Sequence, residues 1–169
     1  MMNQTNSIYP ENKEEMYALL HAQVKSLLQG ETDRIANLAN ASALLNLALS
    51  NINWAGFYLI RSKELILGPF QGKPACIHIP LGKGVCGTAA LKDETLVVKD
   101  VHEFPGHIAC DCDSASEIVI PLHSRERVVG VLDIDSPVVA RFDAKDEQEL
   151  NAIAKLIETS CTWQPETLI

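Results

Sequence analysis

Apolar residues recur along the opening third of the chain at the three- and four-residue spacing of an α-helix. Met16, Leu20, Val24, Leu27 and Leu28 form one such stripe, with Gly30 placed to stop it. Asp33 is positioned to cap a second helix whose apolar face carries Ile35, Leu38, Ala41, Leu45 and Leu49. Ser42 and Asn46 fall at the edge of that stripe and narrow it. Near the other end, Asp143 reads as an N-cap with Asp146 three residues on, ahead of a face formed by Leu150, Ile153, Ala154, Ile157 and Cys161.

Between the helices the pattern changes to β-branched and aromatic runs bounded by Gly, Pro and Asp. Six runs qualify: Asn53–Ile60, Glu64–Leu67, Ala75–Ile79, Thr95–Lys99, Glu117–Leu122 and Arg127–Asp135. Ser62-Lys63 suits a tight hairpin between the first two, and a short helix is expected from Gly84 through Leu91. No internal repeat, linker or low-complexity segment interrupts residues 1–169, so one domain is expected, with residues 1–9 as a loosely packed arm. Helices at both ends of a six-strand middle predict an α+β fold with a central antiparallel sheet.

Charge and composition narrow the partners. The formal net charge is −8, and no dense Lys/Arg cluster exists to hold nucleic acid or an anionic membrane surface. No charged leader precedes an apolar stretch, and the longest apolar runs are too short to span a bilayer, which predicts a soluble, cytoplasmic protein. A small ligand or a protein partner is the better expectation. Five cysteines (Cys76, Cys86, Cys110, Cys112 and Cys161) then call for an explanation other than a secreted disulfide scaffold. In a reducing compartment clustered cysteines serve catalysis, redox sensing or metal binding.

Three of them lie in strings that core-building does not demand: Gly68 to Cys76, Gly82-Lys83-Gly84-Val85-Cys86-Gly87, and Phe104 to Asp111, which contains Cys110. Each puts a thiol beside Gly or Pro, on or next to a loop. Cys86 is expected in the first turn of its helix, where the dipole favours thiolate. Cys110 follows His107 by three residues, and His102 is nearby; both histidines read as solvated loop residues, with His107 able to lower a thiol pKa through its charge. Cys161 falls on the core face of the last helix. A zinc site from Cys76, His78, Cys86, Cys110 and Cys112 is disfavoured, because both close pairs are separated by a single residue.

A second constellation is acidic. Period-two alternation puts Asp133 and Asp135 on one face of their strand. If the strand opened by Glu117 is its neighbour, three carboxyls line one pocket mouth. Crowded carboxylates raise one another's proton affinity, so one could serve as a general acid while the others hold an ammonium. The same residues also fit the polar face of a half-exposed strand, and Trp54 by itself fits a core.

Taken together, Asn53-Trp54-Ala55-Gly56-Phe57-Tyr58, Gly68–Cys76, Gly84–Gly87, Phe104–Asp111 and Val131–Ser136 resemble the free methionine-R-sulfoxide reductases, a catalytic branch of the GAF domains. The resemblance spans nearly the whole chain. It implies a GAF-like sheet with Cys110 as nucleophile, Cys76 as the main resolving thiol and Cys86 as an auxiliary recycling thiol. It further implies a substrate pocket of Trp54, Glu117, Asp133 and Asp135, with acid catalysis from the carboxylates. Cys112 departs from the family pattern and is read as a surface substitution. No metal or organic cofactor is implied; electrons are expected from thioredoxin, through a sulfenic acid and an intramolecular disulfide. A homodimer is compatible with the sequence but not specified by it. A ligand-sensing GAF domain and a stoichiometric thiol switch are the alternatives. The absence of an output domain and the three loop cysteines weigh against a sensor, and sustained turnover would exclude a switch.

Overall fold

A computed structural model describes residues 8–106 and 113–163. His107, Cys110 and Cys112 therefore lie outside the described residues. The elements run α1 (Lys13–Leu28), α2 (Arg34–Ala48), β1 (Trp54–Arg61), β2 (Glu64–Gly72), β3 (His78–Pro80), α3 (Gly84–Lys92), β4 (Leu96–Val98), β5 (Ser116–Ser124), β6 (Arg127–Ser136) and α4 (Ala144–Ser160). The strands form one six-stranded sheet in the order β3-β2-β1-β6-β5-β4, every pair antiparallel.

Alternation along the strands gives the sheet two different faces. One carries Ala55, Phe57, Leu59, Ile118, Ile120, Leu122, Leu132 and Ile134, packed against the buried stripes of α1, α2 and α4. The other carries Trp54, Tyr58, Val119 and Val131, packed against Val85, Cys86 and Ala89 of α3. Burying a large apolar side chain is worth roughly 1.5–3 kcal/mol, so the helical face supplies most of the stability. The α3 face is left for chemistry.

The helix boundaries follow the capping residues. Asp33 accepts from the backbone N–H of Ala36 at the start of α2. Asp143 and Asp146 form a reciprocal capping box at α4, an arrangement worth about 1 kcal/mol. Asp146 goes further than capping. Its fully buried carboxylate takes the Tyr17 hydroxyl at 2.7 Å, Lys13 Nζ at 2.8 Å and Arg141 Nη1 at 3.1 Å, tying α1 and the α4 N-terminus together.

Several expectations are corrected. Leu27 and Ile35, assigned to the buried stripes, are 42% and 47% exposed, because each helix meets the sheet on a narrower arc than its apolar spacing suggests. Ser42 is fully buried, its hydroxyl donating to the carbonyl oxygens of Leu38 and Pro69, so a polar residue occupies the α2 seam without cost. The second strand runs on to Gly72, five residues beyond Leu67, across a register shift in its pairing with β1. Of the expected N-terminal arm, Tyr9 is buried, with its hydroxyl bonded to Gln23 of α1.

Candidate active site

The site is assembled on the α3 face where β1, β5 and β6 lie side by side. Glu117 pairs directly with Asp135, Val119 with Asp133, Trp54 with Asp135 and Gly56 with Asp133. Neighbouring strands thus bring the three carboxyl-bearing residues to one face, the two aspartates as the alternation predicted and Glu117 through the pairing of β5 with β6. Trp54 stands beside them on β1. Gly56 holds its place there for a steric reason: a Cβ on it would lie 2.3 Å from Phe70 Cβ and 2.7 Å from the Trp54 ring. Its bareness lets Trp54 lie between Phe70 and Tyr58, stacked at centroid distances of 5.3 Å and 5.9 Å.

Cys86 reaches the same place from α3. The helix is pressed close because Gly87 has no side chain; a Cβ there would come within 2.4 Å of the Pro80 carbonyl oxygen. The glycines of this string are therefore explained by close approach and turn geometry. One ligand-type atom from each of Cys86, Glu117 and Asp133 lies within 4.8 Å of the other two, and all three residues are buried.

Burial sets the protonation of this cluster. It drives the Glu117 carboxyl well above the ordinary carboxylate range, with the nearby Asp133 charge adding to the effect. Burial raises Asp133 to about 7, partly opposed by a hydrogen bond from the Cys86 thiol. Oδ1 of Asp133 has no hydrogen-bond partner among the described residues. The expectation of a thiolate at Cys86 is overturned. It does sit in the first turn of α3, but burial first, and the negative neighbours Asp133 and Glu117 second, push its thiol well above the usual value. Proximity to the helix dipole does not compensate for loss of water.

The cysteine-bearing loops are tied to β1. Cys76 is half-buried and disulfide-bonded, its partner lying outside the described residues, whereas Cys86 and Cys161 are free thiols. The Tyr58 hydroxyl donates to the Cys76 carbonyl at 3.0 Å, and the Trp54 indole N–H donates to the Lys73 carbonyl at 3.2 Å. Asn53 reaches Ser114 at 3.0 Å, and Lys73 forms a close ion pair with Asp113, on the far side of the undescribed segment. Tyr58 and Phe70 were not singled out from the sequence. The signal was present, since Tyr58 lies two and four residues after Gly56 and Trp54 and so shares their face.

Other sequence candidates lie apart. His102 is 71% exposed and bonds Asp100; His78 is exposed and bonds Glu64. Cys161 is the C-cap of α4, half-buried against the main core.

The comparisons with known proteins agree with this geometry. The GAF domain pattern matches residues 23–161. An Escherichia coli K12 protein named free methionine-R-sulfoxide reductase is 53% identical over 147 residues, spanning 87% of this chain and 89% of that protein. The chain belongs to the free methionine-R-sulfoxide reductase family of GAF domains. Two solved members of the reductase family carry ligand. The fRMsr of Staphylococcus aureus in complex with substrate is 57% identical with a TM-score of 0.82, over 85% of this chain and 94% of that one. The free methionine-R-sulfoxide reductase of Neisseria meningitidis in complex with its substrate is 46% identical with a TM-score of 0.84, over 90% and 92%. As to surroundings, no described helix is long and apolar enough to cross a membrane.

Proposed function

We propose that this protein reduces free methionine-R-sulfoxide to methionine, with Cys110 as nucleophile, Cys76 as resolving thiol and thioredoxin as the electron source. The observation that carries the reading is the buried carboxyl cluster of Glu117 and Asp133 beside Asp135 and Trp54, in a chain so similar to E. coli free methionine-R-sulfoxide reductase.

The proposed chemistry balances with cysteines alone. The Cys110 sulfur attacks the sulfoxide sulfur and the oxygen transfers to it, leaving the thioether and a cysteine sulfenic acid. A proton must reach the oxygen as the S–O bond breaks. Asp133, with a pKa raised to about 7, is half-protonated at neutral pH and suits a general acid. Cys76 then condenses with the sulfenic acid, releasing water and forming a disulfide, which an external dithiol reduces. The disulfide at Cys76, with Cys86 and Cys161 free, supports this assignment. Cys86, held as a buried neutral thiol, suits a late recycling role better than attack. Carboxylates around the substrate ammonium favour the free amino acid, because a peptide nitrogen carries no charge to hold. Trp54 offers an apolar face for the methyl group. No organic cofactor is needed, and a reducing, cytoplasmic setting fits the reliance on thiols.

Turnover of free methionine-R-sulfoxide with thioredoxin, thioredoxin reductase and NADPH tests the reading. Steady NADPH oxidation by wild type, lost in Cys110→Ser, is expected. A single stoichiometric oxidation without turnover would instead identify a thiol switch.

A further inference from the structure

We propose that Cys86, Glu117 and Asp133 form a binding site for a thiophilic divalent cation of the zinc–cadmium class. The donors are one thiol and two carboxyls, all buried, with mutual distances of 4.8 Å or less. Asp133 is only 6% exposed, and its Oδ1 has no hydrogen-bond partner among the described residues, so one carboxyl oxygen of a cluster member is buried unsatisfied. That orphan atom costs the fold free energy, and a cation would relieve it.

The donor set selects the metal. Calcium and magnesium are hard cations that take oxygen ligands, so a buried cysteine sulfur among three donors disfavours both. Zinc and cadmium accept mixed sulfur and carboxylate ligands, and an open zinc site has three protein ligands with the fourth position left to water. Around a tetrahedral zinc, sulfur and oxygen donors stand about 3.6 Å apart, so no pair in the cluster needs to close by more than roughly 1 Å. Side-chain rotation suffices, because Glu117 and Asp133 rise from adjacent paired strands and Cys86 from a helix packed on them. Binding releases the thiol proton and any carboxyl proton to solvent, so affinity rises with pH.

The site itself is independent of the proposed reaction. Its consequence for turnover rests on that reading: the ion would occupy carboxylates assigned to substrate and inhibit competitively. None of the close cysteine–histidine pairs of the chain contributes, since the ligands come from α3, β5 and β6.

The test uses Cd2+ alone, titrated into the disulfide form of the full chain, following the ultraviolet thiolate-to-cadmium charge-transfer band. Subtracting the Cys86→Ala titration isolates the contribution of this thiol. One equivalent of Cd2+ per chain, with a band absent from Cys86→Ala, is expected. Asp133→Asn and Glu117→Gln, checked for native circular dichroism, should each weaken binding by at least about tenfold, since even outer-shell losses cost that much. A wild-type band matched in Cys86→Ala, no band at all, or affinities unchanged in both carboxamide variants would overturn the proposal. Free methionine should raise the apparent Kd for Cd2+. A persistent Cys86 band without that competition would keep the metal site and count against these carboxylates as the substrate pocket.

Discussion

Asp133→Asn should make the protein more stable in alkaline buffer while removing its activity. A carboxyl raised from 3.8 to about 7 holds its proton in the fold long after the unfolded chain has released it. Each tenfold difference in proton affinity is worth about 1.4 kcal/mol, so ionising this buried group costs the fold roughly 4 kcal/mol. The sign follows from the direction of the shift. The stabilisation from the bound proton is complete below the unfolded value, declines as pH rises, and is gone above the folded value. An asparagine of nearly the same shape never ionises. The variant should therefore gain on wild type by about 3 kcal/mol between about pH 5 and about pH 8. Urea denaturation followed by far-ultraviolet circular dichroism, on both proteins at both pH values, measures this double difference. Groups remote from the cluster titrate equally in the two proteins and cancel, whereas Glu117 and Cys86, relieved of the Asp133 charge, ionise more readily in the variant and add to its alkaline gain. If Asp133 supplies the proton to the leaving oxygen, turnover should fall by roughly 10²–10⁴-fold in the same variant. A stability gap independent of pH would refute the argument, showing that the carboxyl ionises as readily folded as unfolded.

Three further outcomes are expected. Gly56→Ala, whose new Cβ meets Phe70 at 2.3 Å and Trp54 at 2.7 Å, should lower stability by about 1–3 kcal/mol in a thermal melt and weaken methionine binding by unstacking Trp54. Asp146→Ala, which strips the buried acceptor from Lys13, Arg141 and Tyr17, should cost about 3–5 kcal/mol in urea denaturation with little change in the substrate KM of the remaining folded protein. Burial lowers the proton affinity of His123, but hydrogen bonds to Asp93 at 2.6 Å and Glu158 at 2.8 Å outweigh it and raise the pKa. The stability this gives is complete below the ordinary histidine value and lost as pH rises through the higher folded one, so His123→Gln should flatten the dependence of Tm on pH across neutrality.

Much of this site could be read from the residues, for reasons specific to each. Alternation put Asp133 and Asp135 on one face, and the hairpin at Ser62-Lys63 is there, both residues in the left-handed region. A matching hairpin at Arg125-Glu126 went unread, because neither residue signals positive φ. Whether Glu117 joined the aspartates depended on β5 pairing with β6, which periodicity within a strand does not encode. Cys86 shows the limit most clearly. A cysteine in a glycine-rich first turn looks accessible, and only the packing of α3 against the sheet shows that it is buried and neutral. The Asp146 hub was read as a cap alone, since its partners Tyr17 and Lys13 come from the other end of the chain.

The bond from the Trp54 indole to the Lys73 carbonyl makes the molecule its own optical reporter. Lys73 lies three residues before the disulfide-bonded Cys76, so opening that bond is expected to change the surroundings of the indole. The second tryptophan, Trp163, lies just beyond α4 and donates instead to the Glu158 carbonyl of that helix, in the layer on the opposite face of the sheet. Trp54 should then report the state of the Cys76 disulfide while Trp163 serves as an internal reference, and a shift of emission wavelength on adding a dithiol reductant to the unlabelled chain is the expected sign.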